Sequence, residues 1–233
     1  MSKILIVMSA ADTWVRTDGS SYPTGYWAEE LAAPHAAFVA AGHTVDFASP
    51  GGVLQPLDGH SADPAIAGEG CAVHVAHAEA ALAAHGPLLD LAAVDLAEYA
   101  AIVIPGGHGP VVDLYQDAAL GRLLTEADEQ GKIIGAVCHG PAGLLSAVGP
   151  DGAWRFTGRR MAAFTNEEES LFGTAEGAPW LLATRLREQG TRHESGAAYE
   201  AFTVQDGTLI TGQNPASSAP MADAIITALA ARA

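Results

Sequence analysis

The chain has 233 residues, 49% of them hydrophobic and 16% charged, with 27 acidic against 11 basic side chains and a formal net charge of −16 at pH 7. This composition excludes a disordered or coiled chain, and the negative charge disfavours nucleic acid and anionic membrane surfaces as partners. Two cysteines, Cys71 and Cys138, are too few for a disulfide framework and fit a reducing, cytoplasmic setting.

The first apolar run, KILIVMS from Lys3, is too short to span a membrane and predicts a strand. YWAEELAAPHAAFVAAG from Tyr26 predicts a helix, and HTVDFAS from His43 a second strand. Helical spacing puts Glu30, Ala33, Ala37 and Phe38 towards one side, so Glu30 points inward while Glu29 lies elsewhere. A carboxyl buried beside a thiol has its pKa raised and serves as a proton shuttle. The plainer alternative makes both glutamates solvated first-turn residues.

Residues 50–75 are rich in Gly, Pro, Asp and His, and HVAHAEAALAAHG after them reads as a helix. Together they predict a lid-like insertion at 50–97 over the end of the sheet. His74, His77 and His85 sit in that helix with no evident acidic partner, so no metal is expected there.

AAIVIPGG from Ala100 predicts a buried strand that ends in Pro105-Gly106-Gly107-His108-Gly109. In open α/β sheets ligands bind at this carboxyl edge, and a glycine loop there can aim an N–H at a developing oxyanion. Gly107 is the candidate donor, with the His139 N–H as the second and His108 as a substrate contact. A plain strand-to-helix turn is the alternative.

DAALGRLLTEADEQG from Asp117 predicts a helix and KIIGAV from Lys132 a central strand. The strand runs into AVCHGPAGLL, where Gly140-Pro141 opens a further predicted helix. Cys138 then faces a helix N-terminus, an environment that lowers a thiol pKa and resembles a serine nucleophile elbow. Against this stands the commoner fate of a lone cysteine, a packed core position.

FTNEEESLFG presents Glu167, Glu168 and Glu169, most of which should face water while one orients His139. A helix over APWLLATRLREQG, a hairpin across AFTVQDGTLITG with Asp206-Gly207 at its turn, and a helix over SAPMADAIITALAARA complete the chain. Strand, helix, strand in series predicts a single α/β domain over 1–233, a doubly wound, mostly parallel sheet with helices on both faces.

TGYWAEELAAP, PGGHGPVVDL, AVCHGPAGLL, FTNEEESLFG and ITGQNPASS occur in that order. With them the chain resembles the PfpI-type branch of the class I glutamine-amidotransferase-like superfamily, and within it the small glutathione-independent glyoxalase III (D-lactate dehydratase) and heat-shock chaperone group. The resemblance implies a flavodoxin-like sandwich, with Cys138 as nucleophile, His139 as its neighbour in a triad, and Glu30 as the acid that contacts the thiol. Glu169 falls at the third, histidine-orienting acid, a one-residue slip to Glu168 staying open; Asn214 and Pro215 line the neighbourhood.

The implied reaction turns methylglyoxal or a related small 2-oxoaldehyde into D-lactate or a related 2-hydroxy acid without a cofactor, in a cytoplasmic homodimer with neither nucleic-acid nor membrane partners. Rival readings are a protein deglycase, another cysteine-dependent hydrolase, and a stress-response holding chaperone. Where true glutaminases of the superfamily carry His-x-Glu, this chain has His193 and Glu194 adjacent, so glutaminase activity is not expected.

Overall fold

In a computed structural model, which describes residues 1–232, the apolar runs form the strands of one seven-stranded sheet. In chain order the first half comprises β1 (Lys3–Val7), β2 (Thr13–Val15), β3 (Ser21–Pro23), α1 (Ala28–Ala40), β4 (Thr44–Ser49), α2 (Pro64–Ala67), α3 (Cys71–His85), β5 (Leu89–Asp90) and β6 (Ala101–Ile104). The second half comprises α4 (Ala118–Glu129), β7 (Ile133–Val137), β8 (Arg160–Met161), α5 (Asn166–Phe172), α6 (Leu182–Glu188), β9 (Arg192–His193), β10 (Thr203–Asp206), β11 (Leu209–Gly212) and α7 (Ser218–Ala230).

The strand order is β10-β11-β7-β6-β1-β4-β5, parallel throughout except for the β10–β11 hairpin. Successive residues of a strand point to opposite faces, and the two cores follow that alternation. Leu5, Val7, Ile102, Ile104, Ile134 and Ala136 pack on one side with Leu123 and Leu124 of α4 and Leu186 of α6. Ile4, Ile6, Val103, Ile133 and Val137 pack on the other with Leu31 and Phe38 of α1, Leu82 of α3 and Ile225 of α7. Both faces of the sheet are therefore covered, which is why its strands read as continuous apolar runs.

Within 50–97 the parts behave differently. His60, Ile66 and Ala67 form one wall of a cavity at the carboxyl end of the sheet, whereas α3 packs against α1.

Two local features depart from the sequence expectations. The segment after Cys138 is a 3₁₀ helix, Gly140–Ser146, and not an α-helix. It is wedged against the end of β6 so closely that a Cβ on Gly140 would lie 2.1 Å from the Ile104 carbonyl oxygen, and every residue from Gly140 to Leu145 is buried. The short β2–β3 ribbon was not foreshadowed by any apolar period; it sets Trp14 opposite Tyr22 and brings both rings against His108.

Candidate active site

Cys138 follows the last residue of β7 and adopts φ 60°, a left-handed conformation that costs a non-glycine residue free energy. Its backbone is pinned on both sides, the N–H donating to Gly212 O at 3.0 Å and the carbonyl accepting from Phe164 N at 3.0 Å. The side chain is thereby turned off the sheet into a cavity of about 550 Å³. Among the described residues Tyr199 is the other non-glycine with positive φ, at 62°, and it lines the same cavity.

Glu30, on the first turn of α1, is 1% exposed. The Gly106 N–H donates to its Oε2 at 2.6 Å, while Oε1 has no conventional hydrogen-bond partner and the carboxyl faces the Cys138 thiol. Only glycine fits at 106, since a Cβ there would stand 2.6 Å from Glu30 Oε2 and 3.0 Å from Cys138 Cβ. Burial pushes the Glu30 carboxyl up to about 8, against the nearby Cys138 thiol and the Gly106 N–H, which favour its charged form.

Burial also pushes the Cys138 thiol well above its ordinary value, and the neighbouring Glu30 carboxylate adds to the shift. This reverses the direction expected from a helix N-terminus. The following segment is a short 3₁₀ helix with little aligned dipole, and desolvation beside a carboxyl outweighs it. The two groups hold at most one negative charge between them near neutrality.

On the far side of the sulfur, Cys138 Sγ lies 3.4 Å from His139 Nδ1, and His139 Nε2 lies 2.7 Å from Glu169 Oε1. The Thr174 hydroxyl donates to Glu169 Oε2, and His108 Nε2 is 3.5 Å from the same oxygen. Burial pushes the Glu169 carboxyl up, but the charges and hydrogen bonds of His139 and His108 outweigh it and hold the group well below the usual carboxylate range. His108 is stacked on Trp14 with its ring 4.3 Å from that of His139, and burial lowers its pKa, helped by the charge of His139. The cluster is a relay of thiol, imidazole and carboxylate braced by a second imidazole.

Glu168, one residue away, has a different task. It is fully buried and accepts from Thr165 N and Oγ1, Tyr199 N, Gln213 Nε2 and Asn214 Nδ2. Thr165 and Glu168 form a capping box at the start of α5. These bonds tie three loops together and leave the imidazole to Glu169.

Gly107, His108 and His139 all line the cavity. The His108 N–H is already committed to Thr24 Oγ1 at 3.1 Å, and the His139 N–H is directed at the Cys138 sulfur. Asn214 and Pro215 also line the wall, where the Asn214 amide is held by Glu168 and by Glu200 O at 2.8 Å. Trp14 and Tyr199 escaped sequence reasoning because they lie outside every motif, whereas Thr24 opens TGYWAEELAAP and Thr174 directly follows FTNEEESLFG without either hydroxyl announcing its partner.

His108, His139 and Glu169 offer ligand-type atoms that all lie within 4.8 Å of one another. Those atoms already face one another in the relay, so a metal there would have to displace the Glu169–His139 hydrogen bond. His77 contacts His35 at 2.9 Å and His85 accepts from Phe47 N at 3.3 Å. His193 lies 3.0 Å from Arg187, and Glu194 is paired with Arg160.

The profile of the DJ-1/PfpI family matches residues 23–228. Glyoxalase 3 of Candida albicans is 26% identical over 235 residues, covering 98% of this chain and 98% of that protein. Glutathione-independent glyoxalase hsp3101 of Schizosaccharomyces pombe is 28% identical over 243 residues, covering 96% and 94%. Among solved structures, the Rapid Encystment Protein 24 kDa of Francisella tularensis superposes with a TM-score of 0.82 at 26% identity, covering 98% of this chain and 99% of that one.

Proposed function

Because the chain belongs to the DJ-1/PfpI family, we propose that it is a glutathione-independent glyoxalase that converts methylglyoxal or a related 2-oxoaldehyde into the 2-hydroxy acid, D-lactate in the case of methylglyoxal. The observation that carries the reading is the Glu30 carboxyl buried between the Gly106 N–H and the Cys138 thiol, beside a cysteine already linked to His139. Two relatives named as glyoxalases, aligned over nearly the whole chain, support it.

The reaction needs one water and no net oxidation. The Cys138 sulfur bonds to the aldehyde carbon while its proton passes through His139 to the former aldehyde oxygen, giving a hemithioacetal. The Gly107 N–H steadies the oxygen as charge develops on it. Glu30, as carboxylate, takes the hydrogen of that carbon as a proton, forming an enediolate, and returns it to the neighbouring carbon while the hydroxyl proton passes from the former aldehyde oxygen to the former ketone oxygen. The product of this isomerisation is a thioester of the 2-hydroxy acid; water cleaves the C–S bond, and the acid leaves with the thiol restored.

Glu169 keeps His139 in the tautomer that carries hydrogen on Nε2, so that Nδ1 is free to receive the thiol proton. Glu30 sits at about 8 and is partly ionised near neutrality, which suits a group that must both take and return a proton. Rival reactions on the same thiol give other products, so lactate formation distinguishes them.

The acidic surface repels polyanions, and no helix among the described residues is long and apolar enough to cross a membrane. We take the physiological partner to be the small substrate together with a second copy of the chain in a cytoplasmic homodimer. The test of function is incubation with methylglyoxal in the absence of glutathione, followed by chiral lactate analysis. D-lactate from the wild type but not from Cys138→Ala supports the assignment; no lactate from the wild type removes it.

A further inference from the structure

The cavity above Cys138 is far larger than methylglyoxal requires. Its volume of about 550 Å³ falls in the range, about 300–1,000 Å³, in which pockets bury drug-sized molecules. Reactive groups occupy only its floor.

Above the floor the walls are apolar. Trp27, Phe164 and Phe172 contribute rings, and Ile66 and Leu171 stand at the rim, 45% and 63% exposed. No lysine or arginine lines the cavity among the described residues, and its remaining charged side chain is Glu29. An anionic substrate therefore finds no counter-charge and meets a strongly acidic protein.

Most polar wall groups are already engaged within the protein, while the Trp27 indole N–H stands buried without a partner. Asn214 Nδ2 donates to Glu168 Oε1 and Glu200 O, the Tyr199 hydroxyl donates to Glu168 O at 3.1 Å, and His60 is engaged by Asp58 and Tyr22. A sugar-bearing or peptide-bearing adduct, with many polar groups to desolvate, would find few replacement hydrogen bonds there beyond the Trp27 indole N–H. An apolar substituent has nothing to lose.

We propose that the substrate class of this site is a neutral 2-oxoaldehyde with a bulky apolar or aryl group on its ketone carbon, and that Phe172 and Leu171 determine this preference. The inference rests on the glyoxalase reading and sharpens it. Position in the chain supports the assignment: α5 carries Glu169 towards His139 and, two and three residues later, Leu171 and Phe172 to the cavity wall. One seven-residue helix thus orients the imidazole and shapes the space beyond the sulfur.

The test compares kcat/KM, without glutathione, for a series of alkylglyoxals from methyl to butyl and for phenylglyoxal. A substituent entering an apolar wall gains about three- to fourfold per added methylene, so the series should climb and phenylglyoxal should exceed methylglyoxal by more than about tenfold. Phe172→Ala should flatten the series and lower the phenyl-to-methyl ratio about tenfold, and Leu171→Ser, at an exposed rim position, should lower the same ratio without threatening the fold. A 2-oxoaldehyde bearing a carboxylate should fall below methylglyoxal. Methylglyoxal turnover with a flat or falling series, or an unchanged ratio in both variants, overturns this inference and leaves the glyoxalase reading standing. No turnover of any member overturns both.

Discussion

The amide nitrogen of Gly106 donates its hydrogen to Glu30 Oε2 across 2.6 Å, linking the loop after a central strand to a helix that begins in another part of the chain. The contact exists because residue 106 has no side chain. Gly106→Ala would push a methyl group to 2.6 Å from Glu30 Oε2 and 3.0 Å from Cys138 Cβ. We expect a fall in kcat/KM of at least about 100-fold, comparable to losing the acid itself, measured as lactate formed per active site.

Glu30→Gln separates chemistry from stability. The amide oxygen still accepts from Gly106, but no proton can be taken from carbon, so turnover should drop by about 10²–10⁴-fold. Stability should move the other way. A carboxyl raised from an ordinary 4.5 to about 8 in the folded state stabilises the fold fully below pH 4.5 and loses that contribution as pH rises through 8. Chemical denaturation at pH 9 should find the variant more stable by about 3–5 kcal/mol, with the difference vanishing near pH 4.

Thiol alkylation reports the same pair. Cys138 is buried and its thiol is raised by desolvation and by Glu30, so iodoacetamide should modify it slowly at pH 7 and faster as pH rises. In Glu30→Gln the like charge is gone. Alkylation of Cys138, read by peptide mass spectrometry, should then accelerate at a given pH.

The adjacent acids of α5 should behave differently. Glu169→Gln removes the charge that holds His139 and should lower kcat by about 10²–10⁴-fold. Glu168→Gln cannot accept all five hydrogen bonds that converge on the native carboxylate. It should cost about 3 kcal/mol, seen as a fall in Tm of roughly 6–12 °C.

Much of this arrangement was legible before any coordinates. Apolar runs such as Ile133–Val137 carry the period of buried parallel strands, and the seven-stranded sheet follows them. Cys138, His139, Glu30 and Glu169 come together as neighbours. The protonation of the thiol was not legible, because it depends on how completely Glu30 and Cys138 are desolvated together, a property of packing. The choice between Glu168 and Glu169 needed the helix phase of α5, fixed by the capping box at Thr165. Tyr199 and the β2–β3 ribbon are set by long-range hydrogen bonds and ring contacts that leave no local period.

The central claim is that Cys138 forms the bond to carbon and Glu30 moves the carbon-bound proton. NMR of methylglyoxal labelled with carbon-13 at its aldehyde carbon, mixed with stoichiometric Glu30→Gln protein, follows both steps at once. A hemithioacetal resonance should persist without conversion to thioester or lactate, and it should be absent in Cys138→Ala. Lactate appearing from Glu30→Gln at the wild-type rate, or from Cys138→Ala at all, would contradict that claim.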